Sequence, residues 1–326
     1  MSYSKQQRRG FIKALTIGGA GSAAPKWLSA NTSYPNRPIR LIVPWTAGGS
    51  SDLVLRVVGQ KLTDILGVPI AIENKPGASG TLGIIELLKA KPDGYTLTQI
   101  PLGVISAPLM RSVPYDPLTD ISYIANLSSY TNGLVVRANS PIRTVQDYIS
   151  QARAQPGTVS YAVAGLGTYA HLATEEFAYR AGIKLLGVPY KGDADALQGL
   201  LGGHVMSLAS STSWAANVDD GSCRLLAVYS QQRIDRWPSA PTFKELGFDT
   251  IPDSPFGIAG PKGMSPDIIA KLEAALKKVM GDPAVIDVLG KFNMPVSFLG
   301  TPEYRRMIES TYHGQAQMIK RLGLGG

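Results

Sequence analysis

The chain contains little cysteine, little histidine and no long hydrophobic run. Its one cysteine, Cys223, excludes an intrachain disulfide and a multi-cysteine metal site. We predict that Cys223 is a small core residue, because an apolar strand-like run follows it. The three histidines, His171, His204 and His313, lack the paired spacing of metal ligands, so no metal site is predicted. No apolar run is long enough for a membrane-spanning helix.

Charge is also sparse and unevenly placed, since charged residues make up only 17% of the 326 residues. The formal charge is +8, but residues 1–30 hold five basic residues and no acid, and the rest carries only +3. No basic stripe interleaved with aromatic residues is present, which argues against a nucleic-acid partner. A hydrophobic fraction of 44% indicates a folded protein, and the length suits two domains.

Residues 1–30 have the pattern of an export signal. The run Arg8-Arg9-Gly10-Phe11-Ile12-Lys13 resembles the twin-arginine motif, and a weakly apolar stretch follows over residues 14–24. Leu28-Ser29-Ala30 offers a cleavage site that ends in a small residue. The alternative is an unstructured cytoplasmic N-terminus. The motif favours a signal peptide over residues 1–30 and a periplasmic mature protein.

From residue 38 onward, short apolar runs alternate with amphipathic stretches, a pattern typical of βαβ units and a mostly parallel sheet. Two crossings between halves are predicted, around residues 129–133 and 247–254. One domain would then comprise residues 31–131 plus 252–326, and the other residues 132–251. Domains connected in this way close on a ligand in the cleft between them. Strands are predicted at 39–43, 69–72, 95–98, 134–136, 159–163, 185–188, 205–209 and 225–228, and helices at 53–66, 81–89, 145–154, 268–280 and 302–322.

A glycine-bearing turn joins the first predicted strand to the first helix, at residues 44–52. Its paired Gly48 and Gly49 leave backbone N–H groups free at the positive end of the helix dipole, which is a ready anion site. The alternative is an ordinary strand-to-helix turn capped by an Asp or Ser side chain.

The same arrangement recurs twice. Gly165, Gly167 and Thr168 lie between a predicted strand and a helix, and Gly192 opens a further helix. If the three turns converge on one cleft, they suit a small carboxylate better than a triphosphate, because no phosphate-loop motif is present. The Gly165-Leu166-Gly167 run lacks the last glycine of a dinucleotide fingerprint, so no cofactor is predicted.

Several further motifs together resemble the Bug-type extracytoplasmic solute receptors, the binding components of tripartite tricarboxylate transporters. The likeness covers nearly the whole mature chain. The motifs are Tyr34-Pro35-Asn36-Arg37-Pro38, residues 44–52, Glu73-Asn74-Lys75-Pro76-Gly77, Asp93-Gly94-Tyr95-Thr96-Leu97, Tyr115-Asp116-Pro117, Gly167-Thr168, His171-Leu172, Val188-Pro189-Tyr190-Lys191-Gly192 and Pro241-Thr242.

The resemblance implies an α/β fold of the type 2 periplasmic-binding-protein kind, in which two domains, each a mixed sheet flanked by helices, are joined by a hinge. It implies a non-enzymatic monomer that grips a small organic carboxylate largely through backbone amides and serves membrane transporter subunits or acts as a free-standing sensor. The candidate ligand-binding residues are Trp45, Thr46, Ala47, Gly48, Gly49, Ser50, Ser79, Gly165, Gly167, Thr168, Tyr169, His171, Tyr190 and Asp193.

The chain departs from the family pattern at two places. Trp45-Thr46-Ala47 stands where the family has Phe-x-Pro, and Asp193 and Asp195 stand where it has small or neutral residues. One of these aspartates either caps its helix or pairs with an ammonium group on the ligand. An aromatic pocket is a further hypothesis, formed by Trp45, Tyr169, Tyr190 and Trp214.

Two other classes of protein fit the sequence less well than the receptor. An exported α/β hydrolase acting on a carboxylate or ester would need Ser50 or Ser79 as nucleophile and His171 as base, but no nucleophile-elbow motif is present. The ligand-sensing half of a transcription regulator is disfavoured, because the leader predicts export and no helix-turn-helix precedes the α/β region.

Overall fold

The computed structural model describes residues 34–248 and 254–325, so the signal-peptide and twin-arginine predictions lie outside the described residues. The strands are β1 Ile39–Val43, β2 Ile70–Asn74, β3 Thr96–Ile100, β4 Ile121–Ser129, β5 Asn132–Arg137, β6 Ser160–Val163, β7 Leu186–Pro189, β8 Ser207–Ser211, β9 Cys223–Val228, β10 Pro255–Pro261 and β11 Val296–Leu299. The α-helices are α1 Ser50–Leu66, α2 Thr81–Leu87, α3 Leu102–Met110, α4 Val145–Ala154, α5 Tyr169–Ala181, α6 Asp193–Leu201, α7 Ala215–Asp219, α8 Pro266–Val279, α9 Pro283–Lys291 and α10 Thr301–Leu322.

Two mixed sheets form the framework. The first has the strand order β11-β4-β10-β3-β1-β2. In it, β1 is parallel to both β2 and β3, whereas β10 is antiparallel to both β3 and β4. The second has the order β7-β6-β8-β5-β9, with β6 parallel to β7 and β8, and β5 antiparallel to β8 and β9. Helices flank both sheets, so the predicted α/β architecture of two mixed sheets flanked by helices is confirmed.

Local sequence signals account for the best-predicted helices. Helix α4 begins and ends at the predicted residues, and its start is fixed because Thr144 and Asp147 form a capping box, in which each side chain accepts from the other's backbone N–H. Gly67 adopts φ +70° and ends α1. Ser265 caps α8, Pro266 opens it, and Lys277 and Lys278 lie in its last turn.

The predicted strands are all present, β1 with its predicted ends and the others with shifted ends, but β4, β10, β11 and helices α3, α7 and α9 were not predicted. Strand β10 begins and ends with proline and contains two glycines, a composition that favours turns. It is nevertheless completely buried, because β3 and β4 pair with it on both sides. Helix α3 is apolar on nearly every face and contains Pro108, so it shows no helical period.

The chain passes from the first sheet to the second between β4 and β5, at residues 130–131. It returns between β9 and β10, along a path that includes residues outside the described part. The predicted limits of the two domains stay a prediction. Hydrogen bonds and packing also connect the halves at the periphery, where both Glu176 carboxylate oxygens accept from Arg321 of α10 at 2.8 Å.

Buried aromatic residues stabilise the half of the molecule that contains the second sheet. Trp214 is fully buried and contacts Trp237 with ring centroids 4.9 Å apart, so its predicted place in an aromatic ligand pocket is wrong. Cys223 is buried in β9, as predicted, and burial raises the pKa of its thiol. None of the helices in the described ranges is long and apolar enough to cross a bilayer.

Candidate functional site

A small cavity lies between the two sheets, where parallel strands of both end. Its volume is about 40 Å³, room for about three water molecules. We call it the inner cavity. Its lining residues are Trp45, Ser51, Pro101, Leu102, Gly103, Tyr130, Asn132, Ala164, Thr168, Tyr169, Ala170, Asp193, Ser211 and Ser254.

Four helices begin at the inner cavity, and the first residues of each line it. Ser51 belongs to α1, Leu102 and Gly103 to α3, Ala170 to α5 and Asp193 to α6. The sequence predicted three of these entries and missed α3. Helix N-termini carry free N–H groups and a partial positive charge, so their convergence favours an anion.

The turn before α1 holds its shape through a buried aspartate. Asp52 accepts from the backbone N–H of Gly48, which has φ +85°, and from Asn74 Nδ2, both at 2.9 Å. Burial alone would raise the pKa of Asp52, but Arg56 and these N–H donors outweigh burial and hold that pKa below its usual value. No side chain caps α1, and the amides of Ser50 and Ser51 have no acceptor among the described residues.

Trp45 and Tyr130 form the aromatic part of this side. The Trp45 indole Nε1 donates to Gln99 Oε1 at 3.0 Å, and the Tyr130 hydroxyl pairs with Ser51 Oγ at 2.7 Å. Burial is the main cause that raises the pKa of Tyr130. Its phenol therefore stays neutral and able to donate.

The turn before α5 is held by His171. Its Nδ1 accepts from the backbone N–H of Gly167 at 3.1 Å, which requires that this nitrogen carry no proton. Burial lowers the pKa of His171 to about 4, so the ring is neutral at pH 7. Thr168 Oγ1 donates to the Gly165 carbonyl oxygen at 2.8 Å and accepts from the His171 N–H at 3.4 Å, which caps the helix.

A hydrogen-bonded chain joins the two halves at the inner cavity. Ser211 Oγ donates to Asp193 Oδ2, and Ser50 Oγ lies 2.9 Å from Ser211 Oγ. Because Ser211 gives its proton to Asp193, Ser50 is the donor of that second bond. Burial raises the pKa of Asp193 to about 6, and the hydrogen bonds from Ser211 oppose this rise.

The predicted helix cap by Asp193 or Asp195 is not found. Gly192 is the N-cap residue of α6 and no side chain caps this helix. Asp193 is already inside the helix, and its carboxylate reaches across to Ser211 at the end of β8 instead of back to a backbone amide of α6.

The halves also touch at the rim of the inner cavity. Ser79 Oγ donates to the Leu166 carbonyl oxygen, and Ser106 Oγ donates to the Gly167 carbonyl oxygen. A Cβ at Gly165, which has φ +117°, would lie 2.5 Å from Ser79 Oγ. Glycine at 165 therefore permits a close approach that any larger residue would prevent.

A larger and more open cavity lies beyond this rim, with a volume of about 660 Å³. We call it the outer cavity. Unlike the inner cavity it has cationic side chains, Arg111 and Lys191, together with Asp195. Its other lining residues are Gly77, Ala78, Ser79, Gly165, Leu166, Pro189 and Tyr190.

The candidate ligand-binding residues fall into three groups. Trp45, Thr168, Tyr169 and Asp193 line the inner cavity, and Ser79, Gly165 and Tyr190 line the outer one. The others line neither; Gly48, Gly167 and His171 hold the turns, and Ser50 bonds Ser211. Thr46, Ala47 and Gly49 complete the set that lines neither cavity.

Sequence reasoning missed several lining residues of the inner cavity. Three of these share one signal, which is their place at or just after a strand end: Pro101, Tyr130 and Ser211.

The hydrolase alternative has no support in the site. Ser50 pairs with Ser211, Ser79 pairs with Leu166, and the His171 Nδ1 pairs with Gly167. A nucleophile and its base must lie within hydrogen-bond reach, and these three side chains are occupied elsewhere. Across residues 34–248 and 254–325, no group of three or more His, Cys, Asp or Glu side chains could hold a metal ion.

Comparison with known proteins identifies the family. Residues 54–324 match the family described as "Tripartite tricarboxylate transporter family receptor". A Cupriavidus necator protein, "UPF0065 protein in gbd 5'region", is 42% identical over 322 residues and 98% of both chains. The chain belongs to this receptor family. Protein BugT of Bordetella pertussis is 37% identical over 85% of both chains, so this is a Bug-type receptor.

Solved structures of similar proteins agree with this assignment. The periplasmic binding protein BugD is 28% identical with a TM-score of 0.84, covering 90% of this chain and 99% of its own. Rhodopseudomonas palustris Rpa4515, solved with adipate, is 28% identical with a TM-score of 0.83, covering 89% and 99%. MatC of the same organism, solved with bound malate, is 25% identical with a TM-score of 0.81, covering 88% and 100%.

Proposed function

We propose that this receptor captures a small organic carboxylate in the cleft between its two sheets and delivers it to a tripartite tricarboxylate-type membrane transporter. The observation that carries the proposal is the convergence of four helix N-termini on the inner cavity. Amide-to-carboxylate hydrogen bonds in a desolvated cleft are charge-assisted and strong. Similar structures hold adipate and malate, both small carboxylates.

The size of the inner cavity implies that the halves must separate for a ligand to enter. Room for about three water molecules is too little for an organic diacid. The hydrogen bonds from Ser79 and Ser106 to the turn before α5 would break on opening, and a bound diacid would leave the inner cavity wider than it is in this structure. No covalent step is needed, because closure and desolvation supply the retention. We place the mature receptor in the periplasm, as expected for export through the predicted signal peptide.

A binding screen tests the proposal. The mature chain from residue 31 is titrated calorimetrically with di- and tricarboxylates, amino acids and aromatic acids, each beside its uncharged amide analogue. We expect a carboxylate to bind and its amide to fail, because amide donors recognise the anionic oxygens. A folded protein that binds no carboxylate would refute the proposal. Loss of uptake of the bound acid in a deletion strain would separate a transport receptor from a free-standing sensor.

A matched pair of glycine variants tests closure. Gly165→Ala places a methyl group against Ser79 across the cleft, whereas Gly157→Ala also stands at a positive φ but meets open space. Both variants should lose stability from backbone strain, and Gly165→Ala should lose more, because its φ of +117° lies further from the left-handed region than the +77° of Gly157. Only Gly165→Ala should weaken the bound carboxylate, by about tenfold or more, since tenfold corresponds to 1.4 kcal/mol. Equal affinities in the two variants would show that the halves do not close on the ligand at this point.

A further inference from the structure

The inner cavity holds one unusual group for a site that attracts anions. Among its lining residues that the structure describes, Asp193 is the only one with a formally charged side chain, and that charge is negative. The cationic side chains of the cleft, Arg111 and Lys191, line the outer cavity instead. A ligand carboxylate placed in the inner cavity would therefore meet a carboxylate with no cation beside it.

The groups around Asp193 do not neutralise its negative charge. Ser211 is the source of every hydrogen bond recorded to this carboxylate within the described residues, and no backbone amide of α6 is capped by it. Ser50 donates to Ser211 in turn, so the chain of hydroxyls points its protons towards Asp193. This orientation stabilises the ionised carboxylate.

The helix N-termini and Asp193 thus present opposite charges to one small space. The uncapped amides of α1 and α3 suit an anionic group, and Asp193 suits a cationic one. A molecule that satisfies both carries a carboxylate and a protonated nitrogen a few bonds apart.

We propose that Asp193 makes this receptor select, among small carboxylates, those that also carry a protonated amine. The proposal rests on the proposed function, since the amides must first hold the carboxylate. Removing the amine from the ligand would leave Asp193 buried without a cationic partner. A hydrogen bond to a charged group is typically lost at a cost of roughly 10- to 100-fold in affinity.

Matched ligand pairs test this without any mutation. Calorimetric titrations at pH 8 compare aspartate with succinate, and 2-aminoadipate with adipate. We expect the amino member of at least one pair to bind about tenfold or more tightly. A plain diacid that binds as tightly as its amino counterpart would overturn the inference while leaving the proposed function intact. If no member of either pair binds the folded protein, the inference falls, and the proposed function is then decided by the wider carboxylate screen.

Asp193→Asn then assigns the preference to this residue. The variant keeps the size of the side chain and removes its charge, so the advantage of the amino ligand should disappear. Asp267→Asn is the control, because Asp267 also lies in a first helical turn, that of α8, but lines neither cavity. An undiminished amino preference in Asp193→Asn would overturn the inference.

A protonated Asp193 carboxyl would give the opposite ligand preference. A neutral Asp193 would donate its proton to a second carboxylate and favour the plain diacid. The other titratable groups that line the inner cavity are the phenols of Tyr130 and Tyr169; Tyr130 interacts with Asp193, and its hydroxyl is engaged by Ser51. A preference for diacids that grows as the pH falls from 8 to 5 would show this neutral state and refute the proposed selection.

Discussion

Acidification should change the free energy of unfolding through His171 and through Asp193 with opposite signs. Burial lowers the pKa of His171 from 6.5 to about 4, and its bond from the Gly167 N–H requires the same neutral ring. The unfolded chain therefore takes up this proton first as the pH falls below 6.5. Between pH 7.5 and 4.5 this difference should lower the free energy of unfolding by about 2.5 kcal/mol.

Asp193 contributes with the other sign. Burial raises its pKa from 3.8 to about 6, so the folded chain takes up this proton before the unfolded chain does. Stability contributed by Asp193 is greatest at low pH and is lost as the pH rises through 6. Over the same interval, from pH 7.5 to 4.5, Asp193 should raise the free energy of unfolding by about 2 kcal/mol. In the wild type the two effects nearly cancel.

Urea unfolding at pH 7.5 and 4.5 separates the contributions of His171 and Asp193 to stability. His171→Gln keeps an acceptor for Gly167 but cannot be protonated, so acidification should cost this variant about 2.5 kcal/mol less than the wild type. Asp193→Asn should lose about 2 kcal/mol more than the wild type. The control is His204→Gln, at an exposed site. If His171→Gln and the wild type lose the same stability, His171 is not held neutral by the Gly167 turn.

Three further substitutions test the framework by urea unfolding at pH 7.5. Thr168→Ala removes the cap of α5 and should cost about 1 kcal/mol; an unchanged midpoint would contradict the cap. Glu176→Ala removes the buried carboxylate that binds the partly exposed Arg321 and should cost about 2 kcal/mol, against less than about 1 kcal/mol for the exposed Glu309→Ala. Trp214→Ala should cost about 4 kcal/mol, and a loss below 1 kcal/mol would argue that the residue is not in the core.

The sequence predicted those parts of the fold whose signals are local. Strand β1 and helix α4 were predicted with their observed ends, because a hydrophobic run or a capping box lies within each segment. Strands β4, β10 and β11 were not predicted, since their stability comes from partners distant in the chain. Val296 of β11, for example, pairs with Ser128 of β4.

The residues of the candidate site also divide into those that a local sequence pattern predicted and those that it did not. Gly165, Gly167 and Thr168 were found because glycine and a capping residue between a strand and a helix have a recognisable pattern. Ser211 has no such pattern, and its role comes from the Asp193 and Ser50 side chains that meet it in space. No rule of spacing along the chain predicts that meeting. His171 was found as a residue of interest, but only the structure shows that its ring bonds the Gly167 turn.

The buried state of Cys223 has a practical consequence for watching the receptor move. A thiol that is buried and has a raised pKa reacts slowly with maleimides and other thiol reagents, so the native chain has almost no background labelling. Two new surface cysteines, at the exposed Leu82 beside the first sheet and Tyr179 in the second half, would then accept a donor and an acceptor dye selectively. Energy transfer between the dyes would report opening and closing of the cleft in single molecules, with the natural cysteine left in place.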